Sequence, residues 1–145
     1  MKAAESGAQT ATFEGWTIWE YEELPSTNDE AAALPPWSAV RAARQTSGRG
    51  RHQRAWVSDR GGLWMSAVMP GGPEGRVWPA LPLVVGLVVC EALREIGARN
   101  LRLRWPNDVM SGRLKLAGLL VDHVAPGKAV VGIGINVENH PDRVD

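Results

Sequence analysis

Apolar and polar residues alternate with a period of two in several short segments, which is the pattern of half-buried β-strands. The alternation is clearest where Leu101, Leu103 and Trp105 are interleaved with Arg102 and Arg104. Other segments rich in apolar or aromatic residues, mostly bounded by Pro, Gly or Ser, predict further strands over residues 16–24, 38–44, 63–69, 114–124 and 129–137.

Two helices are predicted between these strands. The first begins near Thr27, which has the spacing of an N-terminal capping box with Glu30, and it ends before Pro35. The second covers residues 79–96 and is apolar around most of its circumference, which predicts deep burial. Gly97 follows as a C-terminal cap.

The predicted order β-α-β-β-α-β-β-β indicates one mixed β-sheet with helices packed on it, in the α+β or mixed α/β class. Residues 1–15 are small and polar, so we expect a flexible N-terminal tail before a single domain over residues 16–145. The chain contains no internal repeat and no long linker.

Composition narrows the function classes. The chain has 145 residues, 44% of them hydrophobic, with 16 basic and 16 acidic residues, so it lacks the basic field that non-specific nucleic-acid binding requires. A single cysteine, Cys90, excludes an internal disulfide framework. The N-terminus has no apolar signal region, and the longest apolar stretch, residues 81–90, is too short to span a membrane. We therefore expect a soluble, cytoplasmic protein with no DNA or membrane partner.

The segment Gly48-Arg-Gly-Arg-His-Gln-Arg-Ala-Trp56 is the most informative stretch of the chain. Gly48 and Gly50 let the backbone approach a ligand closely. Arg49, Arg51 and Arg54 supply planar, permanently charged donors that suit phosphate and carboxylate oxygens. The pattern predicts a loop that folds over an anion, although a nucleic-acid patch or a solvated turn can have the same composition.

Lys115 lies in an apolar strand, with Ala117, Leu119 and Val121 expected on its own face and leucines on the other. Burial of an ammonium without a partner is expensive, so an anion from the protein or from a ligand should meet it. The alternative is a lysine that begins the strand and extends to solvent.

Two further groups are candidates for polar chemistry. Arg104-Trp-Pro-Asn107-Asp108 ends a predicted strand with an amide and a carboxylate, so Asp108 could hold Mg²⁺ beside phosphates, or the segment could simply turn into a hairpin. Gln45, Ser26 and Thr27 are neutral donors and acceptors at element ends, suited to an amide or urea group, although helix capping also explains the latter two.

In combination these motifs occur in a distinctive order: Ser26-Thr27-Asn28, Gln45 with the arginine loop and Trp56, RWPND at 104–108, KLAGLL at 115–120 and GIGIN at 132–136. The series resembles the catalytic domain of the biotin protein ligases, also called biotin–[acetyl-CoA-carboxylase] ligases. The resemblance extends from about Trp16 to the end of the chain. It implies a class II aminoacyl-tRNA synthetase-like fold and ATP-dependent formation of biotinyl-5′-AMP with Mg²⁺. Biotin would then pass to one lysine of a biotin carboxyl carrier domain.

The resemblance also implies roles for individual residues. Lys115, Arg51 and Arg49 match the residues that act on the biotin carboxylate and the α-phosphate. Residues expected to contact biotin are Ser26, Thr27, Gln45, Arg49, Gly50, Arg51, Lys115 and Gly118. Residues expected at the nucleotide are Arg51, Arg54, Trp56, Asn107, Gly134 and Asn136, with Gly132 and Gly134 giving Asn136 room and Asp108 beside Mg²⁺. His52, His123 and His140 are expected to be surface or turn residues.

This chain departs from the family pattern at three points. Arg104 replaces the lysine that usually precedes the WPND motif, which keeps the charge. No helix-turn-helix precedes Trp16, so the resemblance implies no DNA-binding domain, and the catalytic domain is expected to be incomplete at its C-terminal end. Some relatives dimerise through a sheet edge, which makes a homodimer possible here. The alternatives are a lipoate ligase or transferase, and a truncated, non-catalytic biotin-binding module.

Overall fold

The computed structural model describes residues 7–72 and 79–138. In chain order the strands and helices are β1 (Gln9–Phe13), β2 (Trp16–Leu24), α1 (Thr27–Ala32), β3 (Ser38–Gln45), β4 (Gly62–Pro70), α2 (Leu81–Glu95), β5 (Leu101–Arg104), β6 (Asp108–Ser111), β7 (Leu114–Ala125) and β8 (Lys128–Asn136). A short 3-10 turn at Arg51–Gln53 lies between β3 and β4.

The strands form one mixed sheet in the order β1-β2-β3-β4-β8-β7-β6-β5. Only the β2–β3 pair is parallel among the described strands, and α1 is the crossover that such a pair requires. The other neighbours pair antiparallel. The expectation of a single mixed sheet with packed helices is confirmed.

The two helices cover opposite faces of this sheet. On β8, Val130 belongs to the cluster under α1, whereas Ile135 belongs to the cluster under α2. Alternate residues of a strand point to opposite faces, so even-numbered β8 residues face α1 and odd-numbered residues face α2. The protein thus has one apolar core on each side of the sheet.

Besides the burial of α2, which is described below, three features of the fold differ from the sequence-based expectations. Residues 9–13, assigned to a flexible tail, form the edge strand β1 paired with β2, while residues 1–6 lie outside the described residues. Strand β6 was not predicted as a separate strand. The N-cap of α1 is Ser26, whose hydroxyl accepts from the Asp29 N–H at 3.5 Å, and not Thr27.

The second helix is not deeply buried. Val89, Cys90 and Leu93 pack against the sheet, but Val84, Leu87 and Val88 are exposed. The prediction failed because the helix is apolar on both sides, and composition alone does not show which side has a neighbour. Gly97, with φ +99°, follows the helix end as expected.

Candidate active site

A cavity of about 940 Å³ opens on the α1 face of the sheet. Its walls come from the start of α1, the loop between β3 and β4, and strands β6, β7 and β8. All the predicted site residues line it: Ser26, Thr27, Gln45, Arg49, Gly50, Arg51, Arg54, Trp56, Asn107, Asp108, Lys115, Gly118, Gly134 and Asn136. Sequence positions more than one hundred residues apart therefore meet at one cavity.

One end of the cavity is polar and neutral. The Gln45 Oε1 atom accepts from the Thr27 backbone N–H at 2.8 Å and lies 3.0 Å from the Thr27 hydroxyl. Gln45 Nε2 donates to the Ser58 hydroxyl at 2.9 Å, and Ser58 Oγ donates to the Trp56 carbonyl at 3.0 Å. Gln45 thus joins the first turn of α1 to the far end of the arginine loop.

A second chain of hydrogen bonds continues from Thr27 into the sheet. The Thr27 and Ser66 hydroxyl oxygens lie 2.7 Å apart, and Ser66 Oγ donates to Asn28 Oδ1 at 2.5 Å. Asn28 Nδ2 donates to Asp122 Oδ2 at 2.8 Å. Thr27, Asn28 and Ser66 are buried, so this chain fixes polar atoms that would be costly to leave unpaired.

The arginine loop is a small hairpin. Arg49 and Ala55 form an antiparallel bridge, the Gly50 N–H donates to the Arg54 carbonyl at 2.8 Å, and the Trp56 N–H donates to the Gly48 carbonyl at 2.9 Å. At its tip, His52 and Gln53 both have positive φ, at 57° and 59°. Non-glycine residues are uncommon in this left-handed region, so the tip is strained.

Arg49 is held by an acidic residue of α1. Its Nη1 and Nη2 atoms donate to the two carboxylate oxygens of Asp29, both at 2.7 Å. The hydrogen-bonded Arg49 guanidinium holds the pKa of the Asp29 carboxyl below its usual value, although partial burial opposes the shift. Arg51 and Arg54 differ, because both are exposed and neither forms an ion pair within the described part of the chain.

Lys115 is paired with Asp108, as the need for an anion predicted. The Lys115 Nζ atom lies 2.8 Å from Asp108 Oδ1, while Arg104 donates to Asp108 Oδ2 at 2.6 and 3.1 Å. The same ammonium lies 5.0 Å from the centre of the Trp56 ring, within the range of a cation–π interaction. Asp108 therefore orients two cations toward the cavity.

A β-bulge turns Lys115 toward the cavity. Lys115 pairs with Met110, and Ala117 pairs with Val109, so Leu116 is an extra residue in β7. Simple alternation would place Lys115 on the face of Ala117, but Ala117 belongs to the core under α2. The expected face was wrong because regular periodicity cannot reveal an inserted residue.

Two glycines on neighbouring strands leave room for the Trp56 ring. Gly118 of β7 and Gly134 of β8 are register partners. A Cβ atom added at Gly118 would lie 2.9 Å from Trp56 Cζ3, and one at Gly134 would lie 2.7 Å from Trp56 Nε1. Gly134 thus accommodates Trp56 and not Asn136 as expected, and Gly132 accommodates Asn28, which a Cβ there would contact.

Two buried polar atoms beside this ring have no hydrogen-bond partner. They are the Trp56 Nε1 donor and the Asn136 Oδ1 acceptor. Asn136 Nδ2 is satisfied by the Lys115 carbonyl at 3.3 Å, and Asn107 Nδ2 donates to the Leu119 carbonyl at 2.9 Å. An unpartnered buried polar atom costs on the order of 1–3 kcal/mol, so this part of the cavity is poised to change its contacts when a polar ligand arrives.

The donor set does not fit a magnesium ion held by the protein alone. Both oxygens of Asp108 already face cations, and the described residues contain no group of three or more His, Cys, Asp or Glu side chains that could hold a metal ion. The arrangement favours Asp108 as the counter-ion of Lys115 and Arg104. Mg²⁺ commonly binds through substrate phosphates, so it can enter with a nucleotide.

Sequence reasoning missed the residues behind the cavity wall. Asp29, Ser66 and Asp122 contact Arg49, Thr27 and Asn28 but belong to no recognisable motif. Only the order of strands in the folded sheet brings them together. His52 and His123 are exposed, as expected, while His140 lies outside the described residues.

The cavity attracts anions. Four arginines and Lys115 line it, against the single carboxylate of Asp108: Arg49, Arg51, Arg54 and Arg104. Opposite charge in a cleft raises the local concentration of an anionic ligand. Fold and cavity together define a mixed-sheet domain whose cavity has a neutral polar end and a cationic end, which would suit a ligand with one uncharged polar end and one anionic end.

The chain belongs to the biotin/lipoate A/B protein ligase family, whose sequence model matches residues 20–138. It is 35% identical over 136 residues to the bifunctional ligase/repressor BirA of Escherichia coli, a match that covers 86% of this chain and 42% of BirA. It is 38% identical over 109 residues to the biotin–[acetyl-CoA-carboxylase] ligase of Mycobacterium tuberculosis, covering 72% of this chain and 41% of that protein.

Solved structures agree with this assignment. The biotin protein ligase of Aquifex aeolicus in complex with biotin and ATP matches with a TM-score of 0.77 and 37% identity. That match covers 90% of this chain and 56% of the ligase. The chain thus spans about half the length of the relatives that it resembles. In the described part of the chain, no helix has the length and apolar character needed to cross a membrane.

Proposed function

We propose that this chain activates biotin with ATP, forming biotinyl-5′-AMP and pyrophosphate, and transfers biotin to a lysine of a biotin carboxyl carrier domain. The observation that carries the proposal is the position of Lys115. Its ammonium is oriented by Asp108 inside a cavity that has a neutral hydrogen-bonding end at Thr27 and Gln45 and an arginine loop above it.

The neutral end suits the ureido head of biotin. A cyclic urea offers two N–H donors and one carbonyl acceptor and carries no charge, so hydroxyl and amide side chains recognise it without the cost of burying an ion. Ser26, Thr27 and Gln45 supply such groups. Gly50 and Gly118 line the same cavity and are proposed to contact biotin.

The cationic end of the cavity, at Lys115 and the arginine loop, suits the first half-reaction. A carboxylate oxygen of biotin attacks the α-phosphorus of ATP, a new P–O bond forms, and the bond to pyrophosphate breaks. This step brings two anions together and increases charge on the phosphoryl oxygens, which Lys115 and Arg51 are placed to offset. Mg²⁺ arrives as part of the MgATP substrate and supplies further charge neutralisation when bound.

The nucleotide is proposed to lie over Trp56, between Arg54, Asn107 and Asn136. An aromatic ring and arginine guanidinium groups offer stacking surfaces to a base and charge to phosphates. The unpartnered Asn136 Oδ1 acceptor supports this placement, because the amino group on the edge of an adenine can donate to it. Gly134 keeps the ring close to the sheet.

In the second half-reaction the neutral amine of the acceptor lysine attacks the acyl carbon, and AMP and a proton leave. The mixed anhydride is sensitive to water, so a loop that covers it protects the intermediate. The reaction belongs in the cytoplasm, where the buried, unbridged Cys90 remains reduced. A homodimer stays a prediction.

The alternatives are less well supported. A structure of a putative lipoate protein ligase from T. acidophilum matches at 16% identity and a TM-score of 0.59, which shows a shared fold alone. A non-catalytic biotin-binding module would keep the neutral end but would not need Lys115 and the arginine loop.

The direct test of the proposal is transfer to an acceptor. The chain is incubated with MgATP, biotin and a biotin carboxyl carrier domain, and bound biotin is detected with streptavidin. The matched control is the same carrier domain with its acceptor lysine replaced by arginine. We expect biotin on the unmodified carrier domain and none on the control.

Two results would contradict the proposal. Transfer of lipoate in place of biotin would assign the chain to the lipoate branch of the family. Binding of biotin by calorimetry, without ATP turnover, would leave only a binding module.

A further inference from the structure

Asp29 is not among the residues expected to contact a ligand, yet it forms a bidentate ion pair with Arg49, which lines the cavity. It belongs to the first turn of α1, two residues after Thr27. Both of its carboxylate oxygens accept from the Arg49 guanidinium at 2.7 Å. A bidentate pair fixes the orientation of both partners as well as their distance.

Arg49 is the residue through which the arginine loop can be held. Arg49 forms the antiparallel bridge with Ala55 at the base of the hairpin. The next residue pair toward the tip is joined by the hydrogen bond from the Gly50 N–H to the Arg54 carbonyl. The side chains of Arg51 and Arg54 lie beyond this base and are exposed. Fixing Arg49 therefore fixes the base of the hairpin and leaves the tip free to contact a ligand.

We infer that Asp29 is a positioning residue that clamps the arginine loop to α1, and that Arg49 acts through this clamp. Because Thr27 belongs to the same helix as Asp29, the ion pair also fixes the position of the loop relative to Thr27. The clamp should help to retain the adenylate under the loop, and this consequence rests on the proposed function.

The pair is suited to positioning and not to global stability. The Asp29 side chain is 61% exposed and the Arg49 side chain is 29% exposed, and exposed ion pairs contribute little to the free energy of unfolding. The hydrogen-bonded Arg49 guanidinium lowers the pKa of Asp29, so the carboxylate stays ionised to a lower pH than an unpaired aspartate would.

Limited digestion with trypsin tests the clamp without any ligand. The enzyme cleaves after Arg51 and Arg54 when the loop leaves the domain surface, and cleavage tracks the open population when opening is fast. We expect Asp29→Ala and Arg49→Ala each to raise cleavage at these two sites roughly fivefold, and the double variant to match the single variants. The melting temperatures should stay close to that of the parent.

A matched control uses a second ion pair of the same length. Glu20 and Arg41 are joined at 2.7 Å on β2 and β3, remote from the loop in the sheet. Glu20→Ala should leave cleavage at Arg51 and Arg54 unchanged. Parent-like cleavage in both single variants, or additive effects in the double variant, would overturn the clamp.

A second experiment measures the effect of the clamp on the reaction. Asp29→Ala should raise the KM for biotin and the biotinylation of bystander lysines, while the rate of adenylate formation at saturating biotin changes less. Bystander biotinylation at the parent level would overturn the retaining role. If the parent chain itself shows no biotin-dependent adenylation, the proposed function fails, and digestion alone decides whether the clamp exists.

Discussion

At the residue scale, the cavity keeps a net positive charge at Asp108, because this one carboxylate is shared by two cations. Asp108 accepts from Arg104 with one oxygen and meets Lys115 with the other. The two cations exceed the one anion, so the cluster still attracts an anionic ligand. Arg104 therefore contributes the charge expected at this position, and it also fixes the carboxylate that orients Lys115.

Lys115→Ala should reduce biotin-dependent adenylate formation by about 10²–10³-fold, because it removes the charge that is proposed to stabilise the reacting oxygens. The fold should survive, since Asp108 keeps Arg104 as a partner. Pyrophosphate exchange into ATP measures the loss. Arg113→Ala, at an exposed cation two residues earlier, is the control and should leave exchange unchanged. Near-normal exchange by the Lys115 variant would remove the basis of the proposed mechanism.

Arg51→Ala should make the adenylate leak, because the loop tip loses a cation that is proposed to offset the charge of the phosphoryl oxygens. The expected sign is biotin on lysines of a bystander protein such as serum albumin, detected by mass spectrometry. Arg102→Ala, at an exposed arginine of β5 that does not line the cavity, should stay selective. If the Arg51 variant is as selective as the parent, its loop does not retain the intermediate.

At the element scale, the sheet builds the site by bringing glycines of β7 and β8 under large side chains. Gly118 and Gly134 lie beneath Trp56, and Gly132 lies beneath Asn28. The strands were predictable from their apolar residues and turn signals. The bulge at Leu116 was not, because one inserted residue leaves no mark in composition.

Gly132→Ala should lower the free energy of unfolding by about 1–3 kcal/mol, since the new methyl group would overlap Asn28 Oδ1 in a buried hydrogen-bond chain. Urea unfolding measures the change. Gly50→Ala is the control, because its Cβ would meet nothing closer than 3.8 Å and its φ of −105° suits alanine. Equal stability of the two variants would contradict the assigned contact.

At the scale of the whole molecule, one apolar core lies on each face of the sheet, and each core is covered by one helix. The apolar side of α2 away from the sheet is exposed at Val84, Leu87 and Val88. Sequence patterning predicted the helix and its end, but not its environment, because burial depends on which elements pack against it. The residues that line the cavity could be predicted because they belong to motifs in a characteristic order, whereas Asp29 and Asp122 became apparent only in the folded structure.

Adjacent valines of α2 test this one-sided packing. Val89 is 7% exposed and Val88 is 58% exposed. Val89→Ala should lower the free energy of unfolding by about 1–3 kcal/mol through lost packing. Val88→Ala should change it by less than about 0.5 kcal/mol, because the side chain loses few contacts and alanine favours the helix. Equal losses in urea unfolding would show that both sides of α2 are buried in solution.

The measurement that tests the central claim most directly is biotin-dependent exchange of labelled pyrophosphate into ATP by this 145-residue chain, with Mg²⁺ and without an acceptor protein. It isolates the first half-reaction, in which Lys115 and the arginine loop have their proposed roles. The account predicts exchange that requires biotin and disappears in Lys115→Ala. No exchange by the parent chain, shown by circular dichroism to be folded, would contradict it.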